Sequence, residues 1–150
     1  MVFKPVPKVV VIGTPHGRNS IANAATIQRL DGVSVLLVDD SVDNQRLFER
    51  ILISSGAKVD LAENGVVAIA RAQINQYDVI IMDIRMPLMD GYEATRQIRL
   101  AGYQGPVLAL TAHANPGEEE RCRAAGCSGF FLKPINKAGL LDAVENAIKG

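Results

Sequence analysis

The sequence contains no tryptophan, three tyrosines and four phenylalanines, so any core must be built from aliphatic side chains. Two cysteines, Cys122 and Cys127, match no zinc or redox spacing, which excludes a disulfide scaffold and makes reduced cytosolic thiols the expectation. Sixteen basic residues balance sixteen acidic ones and no basic tract occurs, so direct binding of nucleic acid is not expected. No apolar run reaches the length of a membrane-spanning helix. The N-terminal Val9-Val10-Val11-Ile12 run is too short for a signal peptide and is followed by Pro15, His16 and Arg18, so secretion is not expected and the chain is placed in the cytoplasm.

Nearly half of the 150 residues are apolar, enough for one domain with a sizeable core. Residues 1–32 differ in texture from the rest. Pro5 and Pro7 begin an extended stretch, Val9 to Ile12 reads as a strand, Gly13 to Ser20 as a loop, and Ile21 to Leu30 as a weak helix. The loop is not a P-loop, because Arg18-Asn19 stands where Lys-Ser/Thr is required. This segment is expected to be a linker or an added strand and helix, with Asp31-Gly32 as the boundary turn.

From Val33 to Gly150 strand and helix patterns alternate, which argues for βαβ units and a parallel sheet covered by helices on both faces. The expected strands are Val35 to Val38, Lys58 to Ala62, Val79 to Met82, Pro106 to Leu110 and Gly129 to Leu132. The first helix runs from Ser41 to Ser55, capped by Ser41 or Asp43, with Leu47, Ile51 and Leu52 inward and Gly56 as its stop. Asn64-Gly65 could turn a hairpin, but Val66, Ile69, Ala70 and Ile74 fall at helical spacing, so it is expected to start a helix. Tyr92 to Leu100 is helical with Ile98 inward. Asn115-Pro116 supplies cap and first-turn residues for a helix with Glu118, Glu119 and Glu120 near its N-terminus, ended by Gly126. Asn136 caps a last helix with Leu140, Leu141, Val144 and Ile148 inward.

Four strands end in polar groups: Asp39-Asp40, Asp83, Thr111 and Lys133. Right-handed crossovers bring these C-terminal ends to one edge of the sheet, where open α/β folds hold their ligands. Taken singly, an Asp or Thr after a strand opens a turn and a Lys is solvated. Together they form a different object. Three carboxylates repel one another unless a cation or proton intervenes, and oxygen-only ligands favour a hard ion, Mg²⁺. Lys133 supplies charge and Thr111 a hydroxyl suited to the spread negative charge of a transferring phosphoryl group. A carboxylate can itself be the nucleophile. The chemistry points to a Mg²⁺-dependent phosphoryl acceptor, with Asp83 as acceptor and the acidic pair holding the metal.

Val38-Asp39-Asp40, Met82-Asp83 with Met86-Pro87-Met89-Asp90-Gly91, Leu110-Thr111-Ala112 and Leu132-Lys133-Pro134, in this order, resemble the receiver domain of two-component response regulators. The match runs from about Val33 to the C-terminus. The resemblance implies a flavodoxin-like receiver fold, a doubly wound five-stranded parallel sheet in the order 2-1-3-4-5. It implies that Asp83 accepts phosphoryl from the phosphohistidine of a histidine kinase or histidine phosphotransfer domain. Asp40, Asp83 and the Arg85 backbone carbonyl would ligate Mg²⁺, with Asp39 acting mainly through water. Lys133, Thr111 and the Ala112 N–H would contact phosphoryl oxygens, and Lys133-Pro134 would be a cis peptide. Thr111 and Phe130 would shift together and remodel the face of the fourth helix, fifth strand and fifth helix, which leaves room for a homodimer there. Phe130 lacks the hydroxyl of the Tyr often found at its place, so a rotamer switch is expected rather than a hydrogen-bonded one. Val67 stands where many members carry Glu, a difference of packing. Arg85 and His113, two residues beyond Asp83 and Thr111, occupy positions that tune the lifetime of the phosphoryl group, and slow autodephosphorylation is expected.

Leu110 to Ala114 and Arg121 to Gly126 look similar to receivers at the C-terminus of hybrid histidine kinases. The isolated domain is not expected to be an enzyme beyond its own phosphorylation and dephosphorylation. No DNA-binding or effector segment is expected after Gly150. A haloacid dehalogenase-type phosphatase would need a second Asp where Arg85 stands. A flavodoxin-like cofactor binder would need a first loop that accepts phosphate, and Asp39-Asp40 would repel it. A degenerate receiver is disfavoured because every chemical position is filled.

Overall fold

The computed structural model describes residues 28–113 and 115–149. The expected strand at Val9 to Ile12, the loop that follows and most of the helix at Ile21 to Leu30 lie outside the described residues. Within them the elements alternate as β1 (Ser34–Val38), α1 (Val42–Ser54), β2 (Lys58–Ala62), α2 (Gly65–Ile74), β3 (Val79–Asp83), α3 (Gly91–Leu100), β4 (Val107–Thr111), α4 (Glu118–Ala125), β5 (Gly129–Leu132) and α5 (Lys137–Lys149). The five strands form one parallel sheet in the order β2-β1-β3-β4-β5. Its central strands β3 and β4 are buried along their whole length, as continuous apolar runs in a covered parallel sheet require.

Alternation along the strands sends side chains to two cores. Leu36, Val38, Ile80, Met82 and Ala109 face α2, α3 and α4, whereas Val35, Leu37, Ile81, Leu108 and Leu110 face α1 and α5. Among the described residues no helix is long and apolar enough to cross a membrane.

Side-chain caps start four of the five helices among the described residues. Ser41 Oγ accepts from the Asn44 N–H, Asn64 Oδ1 from Val67, Asp90 Oδ1 from Glu93 and Asn136 Oδ1 from Gly139, each satisfying an orphan donor of a first turn. Asn64-Gly65 therefore opens a helix, as its spacing suggested. α4 differs from expectation. Its N-cap is Gly117 in a left-handed conformation (φ 85°) with no side-chain cap, and Asn115 contributes only its carbonyl, which accepts from the Glu118 N–H. Glu118 is buried and takes the Tyr92 hydroxyl as hydrogen-bond donor, while the Arg121 guanidinium lies over the Tyr92 ring at 4.5 Å.

Two helix faces also differ. In α1 the inward pair is Phe48 and Leu52, and Leu47 is half exposed. In α2 the small residues Gly65 and Ala68 are buried, while Val66, Ala70 and Ile74 point to solvent. Close approach selects the small residues: a side chain on Gly65 would meet Met89 Sδ at 2.7 Å and Ala94 Cβ at 3.2 Å, so α2 lies tight against α3 and its loop.

Residues ahead of Val33 take part in the packing. Leu30 is fully buried beside Val35, Leu37 and Leu140, and its N–H bonds to the Ser55 carbonyl at 2.8 Å. Arg29 reaches α5, pairing with Asp142 at 2.7 Å and Glu145 at 2.5 Å.

Candidate functional site

The C-terminal ends of β1, β3, β4 and β5 lie side by side, because the parallel register aligns Val38 with Met82, Asp83 with Leu110 and Thr111 with Leu132. Each strand's next residue is thus delivered to one edge. Asp39 and Asp83 are buried there and Asp40 is exposed. Carboxylate oxygens of the three lie within 4.8 Å of one another, and they are the only such acidic group among the described residues. Lys133 Nζ stands over two of them, donating to Asp83 Oδ1 at 3.0 Å and lying 3.5 Å from Asp39 Oδ2. The Lys133–Pro134 peptide is cis.

One cation does not neutralise three carboxylates. Burial pushes the Asp83 carboxyl up to about 6 from its ordinary 3.8, and the Asp39 charge adds to the shift, against which Lys133 pulls downward. The site is thus a buried, acid-rich cleft that holds a proton or a further cation more readily than open carboxylates do.

Asp39 shows where such a cation fits. Its Oδ1 accepts from the Ser41 N–H at 2.9 Å, whereas Oδ2 is buried with no hydrogen-bond donor among the described residues. A buried carboxylate oxygen without a donor is costly, and the Lys133 ammonium 3.5 Å away is already hydrogen-bonded to Asp83, so a further positive group here lowers that cost. The donor set is all oxygen, as a small hard divalent ion prefers, so the residues fit Mg²⁺.

Thr111 is fully buried at the end of β4; its Oγ1 accepts from the His113 N–H at 3.2 Å, which leaves the hydroxyl hydrogen to donate. The Lys133 N–H bonds to the Thr111 carbonyl at 2.8 Å, so these two residues are tied by their backbones. Ala112 lies on the exposed turn that follows. Phe130 is half-buried, pairs with Ala109 and packs in the core that α4 covers. Arg85 and His113 occupy exposed loop positions, and among the described residues no side-chain hydrogen bond joins either to the carboxylates. Their side chains are free to turn toward the cleft mouth or away from it.

Two further contributors are Gly91, which the sequence showed as part of the motif after Asp83, and Gln45, which it did not single out. Gly91 closes the loop after β3: its N–H bonds to the Ile84 carbonyl at 2.8 Å, and a Cβ there would lie 2.5 Å from the Asp83 carbonyl oxygen and 2.7 Å from Ile84 Cα. Only a residue without a side chain lets α3 start this close to the acidic strand end. Gln45, in the first turns of α1, donates from Nε2 to the Asp39 carbonyl oxygen at 2.6 Å.

Comparison with known proteins agrees with this geometry. The sequence pattern of the response regulator receiver domain matches residues 35–145. The chain is 38% identical over 139 residues to probable histidine kinase 2 of rice (Oryza sativa subsp. indica), covering 81% of this chain but only 13% of the kinase. It is 36% identical over 114 residues to two-component response regulator 24 of Arabidopsis thaliana, covering 75% of this chain and 82% of that protein. Among solved structures, the receiver domain of the sensor histidine kinase PA1611 from Pseudomonas aeruginosa superposes with a TM-score of 0.74 at 39% identity, covering 79% of this chain and 99% of that one. That structure holds a magnesium ion coordinated in its active site cleft. With the family pattern spanning residues 35–145 and relatives of this identity, the chain belongs to the response regulator receiver domains, homologous to the receivers of hybrid sensor histidine kinases.

Proposed function

We propose that Asp83 is the residue that takes up the phosphoryl group in this receiver, and that the donor is a phosphohistidine of a histidine kinase or histidine phosphotransfer domain. The observation that carries the assignment is the position of Asp83 between Asp39 and Lys133, buried and hydrogen-bonded by the lysine at 3.0 Å. An Asp83 carboxylate oxygen attacks phosphorus, the P–N bond to the imidazole breaks, and its electron pair returns to the ring nitrogen, which is left neutral or takes a proton. Lys133 turns from the carboxylate to the phosphoryl oxygens. The Thr111 hydroxyl and the Ala112 N–H donate to them.

Asp40, Asp83 and the Arg85 carbonyl would hold Mg²⁺ directly, with Asp39 acting mainly through water. The ion supplies positive charge that offsets the carboxylates and the incoming phosphoryl oxygens. After transfer, Thr111 and Phe130 move together and alter the α4, β5 and α5 face that partners or a second copy of the chain read. Exposed Arg85 and His113 hinder an attacking water, giving a long-lived acyl phosphate.

The test is incubation with Mg²⁺ and acetyl phosphate followed by intact mass measurement. Gain of one phosphoryl mass, abolished by EDTA, is expected. No gain in a protein shown separately to bind Mg²⁺ would overturn the acceptor role. A phosphoryl half-life unchanged by Arg85→Ala and His113→Ala would overturn the part given to those two residues.

A further inference from the structure

Asp39 is tethered at every polar atom but one. Its N–H donates to the Ala62 carbonyl at 3.1 Å, its Oδ1 accepts from the Ser41 N–H at 2.9 Å, and its carbonyl oxygen accepts from Gln45 Nε2 at 2.6 Å. Oδ2 alone is left, buried and without a donor among the described residues, 3.5 Å from Lys133 Nζ. Two of the tethers belong to the backbone and are indifferent to sequence. The third is a side chain, and the only role Gln45 can play toward a carbonyl is as donor, which fixes the orientation of its amide.

We infer that Gln45 is a positioning residue for the cation site, holding the Asp39-Asp40 turn so that Asp39 Oδ2 and the Asp40 carboxylate face the ion. The amide bridges from the second turn of α1 back across the N-cap Ser41 to the last residue before the turn. The peptide whose carbonyl it grips is the one joining Asp39 to Asp40, so the bond restrains the backbone between the two residues that carry the carboxylates. Main-chain bonds hold its ends through Asp39 N–H and the α1 turn, where the Gln45 N–H bonds to the Ser41 carbonyl at 3.0 Å. Only the Gln45 side chain grips its carbonyl among the described residues. Groups that orient metal ligands in this indirect way typically change metal affinity ~10–100-fold when removed. A neutral amide on a carbonyl belongs at the lower end of that range.

The inference rests on the proposed Mg²⁺ site, and its test separates the two. Mg²⁺ alone is titrated calorimetrically into the wild-type chain, Gln45→Met, which keeps length without a donor, and Gln45→Asn, which keeps the amide but is one methylene too short. Thermal unfolding in EDTA verifies that each variant is folded. The expected result is a Kd for Mg²⁺ roughly tenfold weaker in both variants. Acetyl phosphate labelling should show the same split: half-saturation moves to higher Mg²⁺, and the rate at saturating Mg²⁺ stays that of the wild type. An unchanged Kd in a folded variant overturns the role of Gln45, as does a lower saturating rate with unchanged Mg²⁺ dependence. If Gln45→Met does not fold, Gln45→Asn decides alone. Absence of Mg²⁺ binding by the wild-type chain would instead remove the proposed site, and Gln45's role with it.

Discussion

Replacing Asp83 by asparagine should stabilise the metal-free protein at neutral pH. Folding buries the carboxyl beside Asp39 and raises its proton affinity about a hundredfold, from an ordinary 3.8 to about 6, despite the hydrogen bond from Lys133. In free energy that is ~3 kcal/mol. The native state binds the proton more tightly than the unfolded chain, so stability falls as pH rises from about 4 to about 6, and the full cost is present above that window. Asparagine has nearly the same shape, still offers Lys133 an oxygen, and carries no charge. In EDTA at pH 7.5, Asp83→Asn is expected to unfold at a temperature higher by several degrees, since each kcal/mol moves the midpoint of a domain this size by roughly 2–4 °C. At pH 4 the two proteins should converge, because the native carboxyl is then protonated. Calorimetric unfolding at pH 4, 5, 6 and 7.5 measures the difference directly, and titrations shared by both proteins cancel. Mg²⁺ should narrow the gap at pH 7.5, by ~3 kcal/mol at a hundred times its Kd. A gap independent of pH, or an Asn variant less stable at pH 7.5, would refute the reasoning: Lys133 would then outweigh burial and the repulsion from Asp39.

Leu30→Ala should cost ~2–5 kcal/mol in urea unfolding, whereas Arg29→Ala, whose partners Asp142 and Glu145 are partly solvated, should cost no more than ~1 kcal/mol. Equal small effects would show that the chain before Val33 contributes nothing to the folded unit. Gly91→Ala places a methyl against the Asp83 carbonyl and Ile84 Cα, so a loss of ~1–3 kcal/mol is expected, together with slower acetyl phosphate labelling. Unimpaired labelling would show that the loop yields without moving the site. Tyr92→Phe leaves the buried Glu118 carboxylate without its donor and should cost ~1–3 kcal/mol at pH 7, measured by chemical unfolding.

The acidic strand ends were legible because their chemistry is carried by residue type and position along a short pattern. An uninterrupted apolar run ending in Asp83 announces a covered strand with a carboxylate at its functional edge, and the same logic places Asp39, Thr111 and Lys133. Helix existence was legible too, from caps such as Ser41, Asn64 and Asn136. Helix phase was not. Leu47 and Phe48 each have an apolar partner four residues on, Ile51 and Leu52, so periodicity allows either face, and only packing against the sheet selects Phe48 and Leu52. In α2 apolar residues occur all round the helix, and proximity to α3 selects Gly65 and Ala68 over the larger Val66 and Ile74. Burial of Glu118 was hidden as well, because three successive glutamates read as a solvated first turn and its partner Tyr92 is twenty-six residues away. The Gln45 tether was equally out of reach, since a glutamine near a helix start reads as ordinary helix surface. Residues 28–32 read as the end of a weak helix and a boundary turn, in a segment expected to be a linker or an added strand and helix, because one buried Leu30 makes no pattern.

The central claim is that one carboxylate, Asp83, becomes the acyl phosphate. The direct measurement is reduction of the acetyl phosphate-treated, Mg²⁺-loaded protein with borohydride, which converts an aspartyl phosphate to homoserine, followed by peptide mass spectrometry. Homoserine at position 83 and at no other aspartate is the expected result. Homoserine at Asp39 or Asp40, or its absence from position 83 in protein that has gained a phosphoryl mass, would contradict the account.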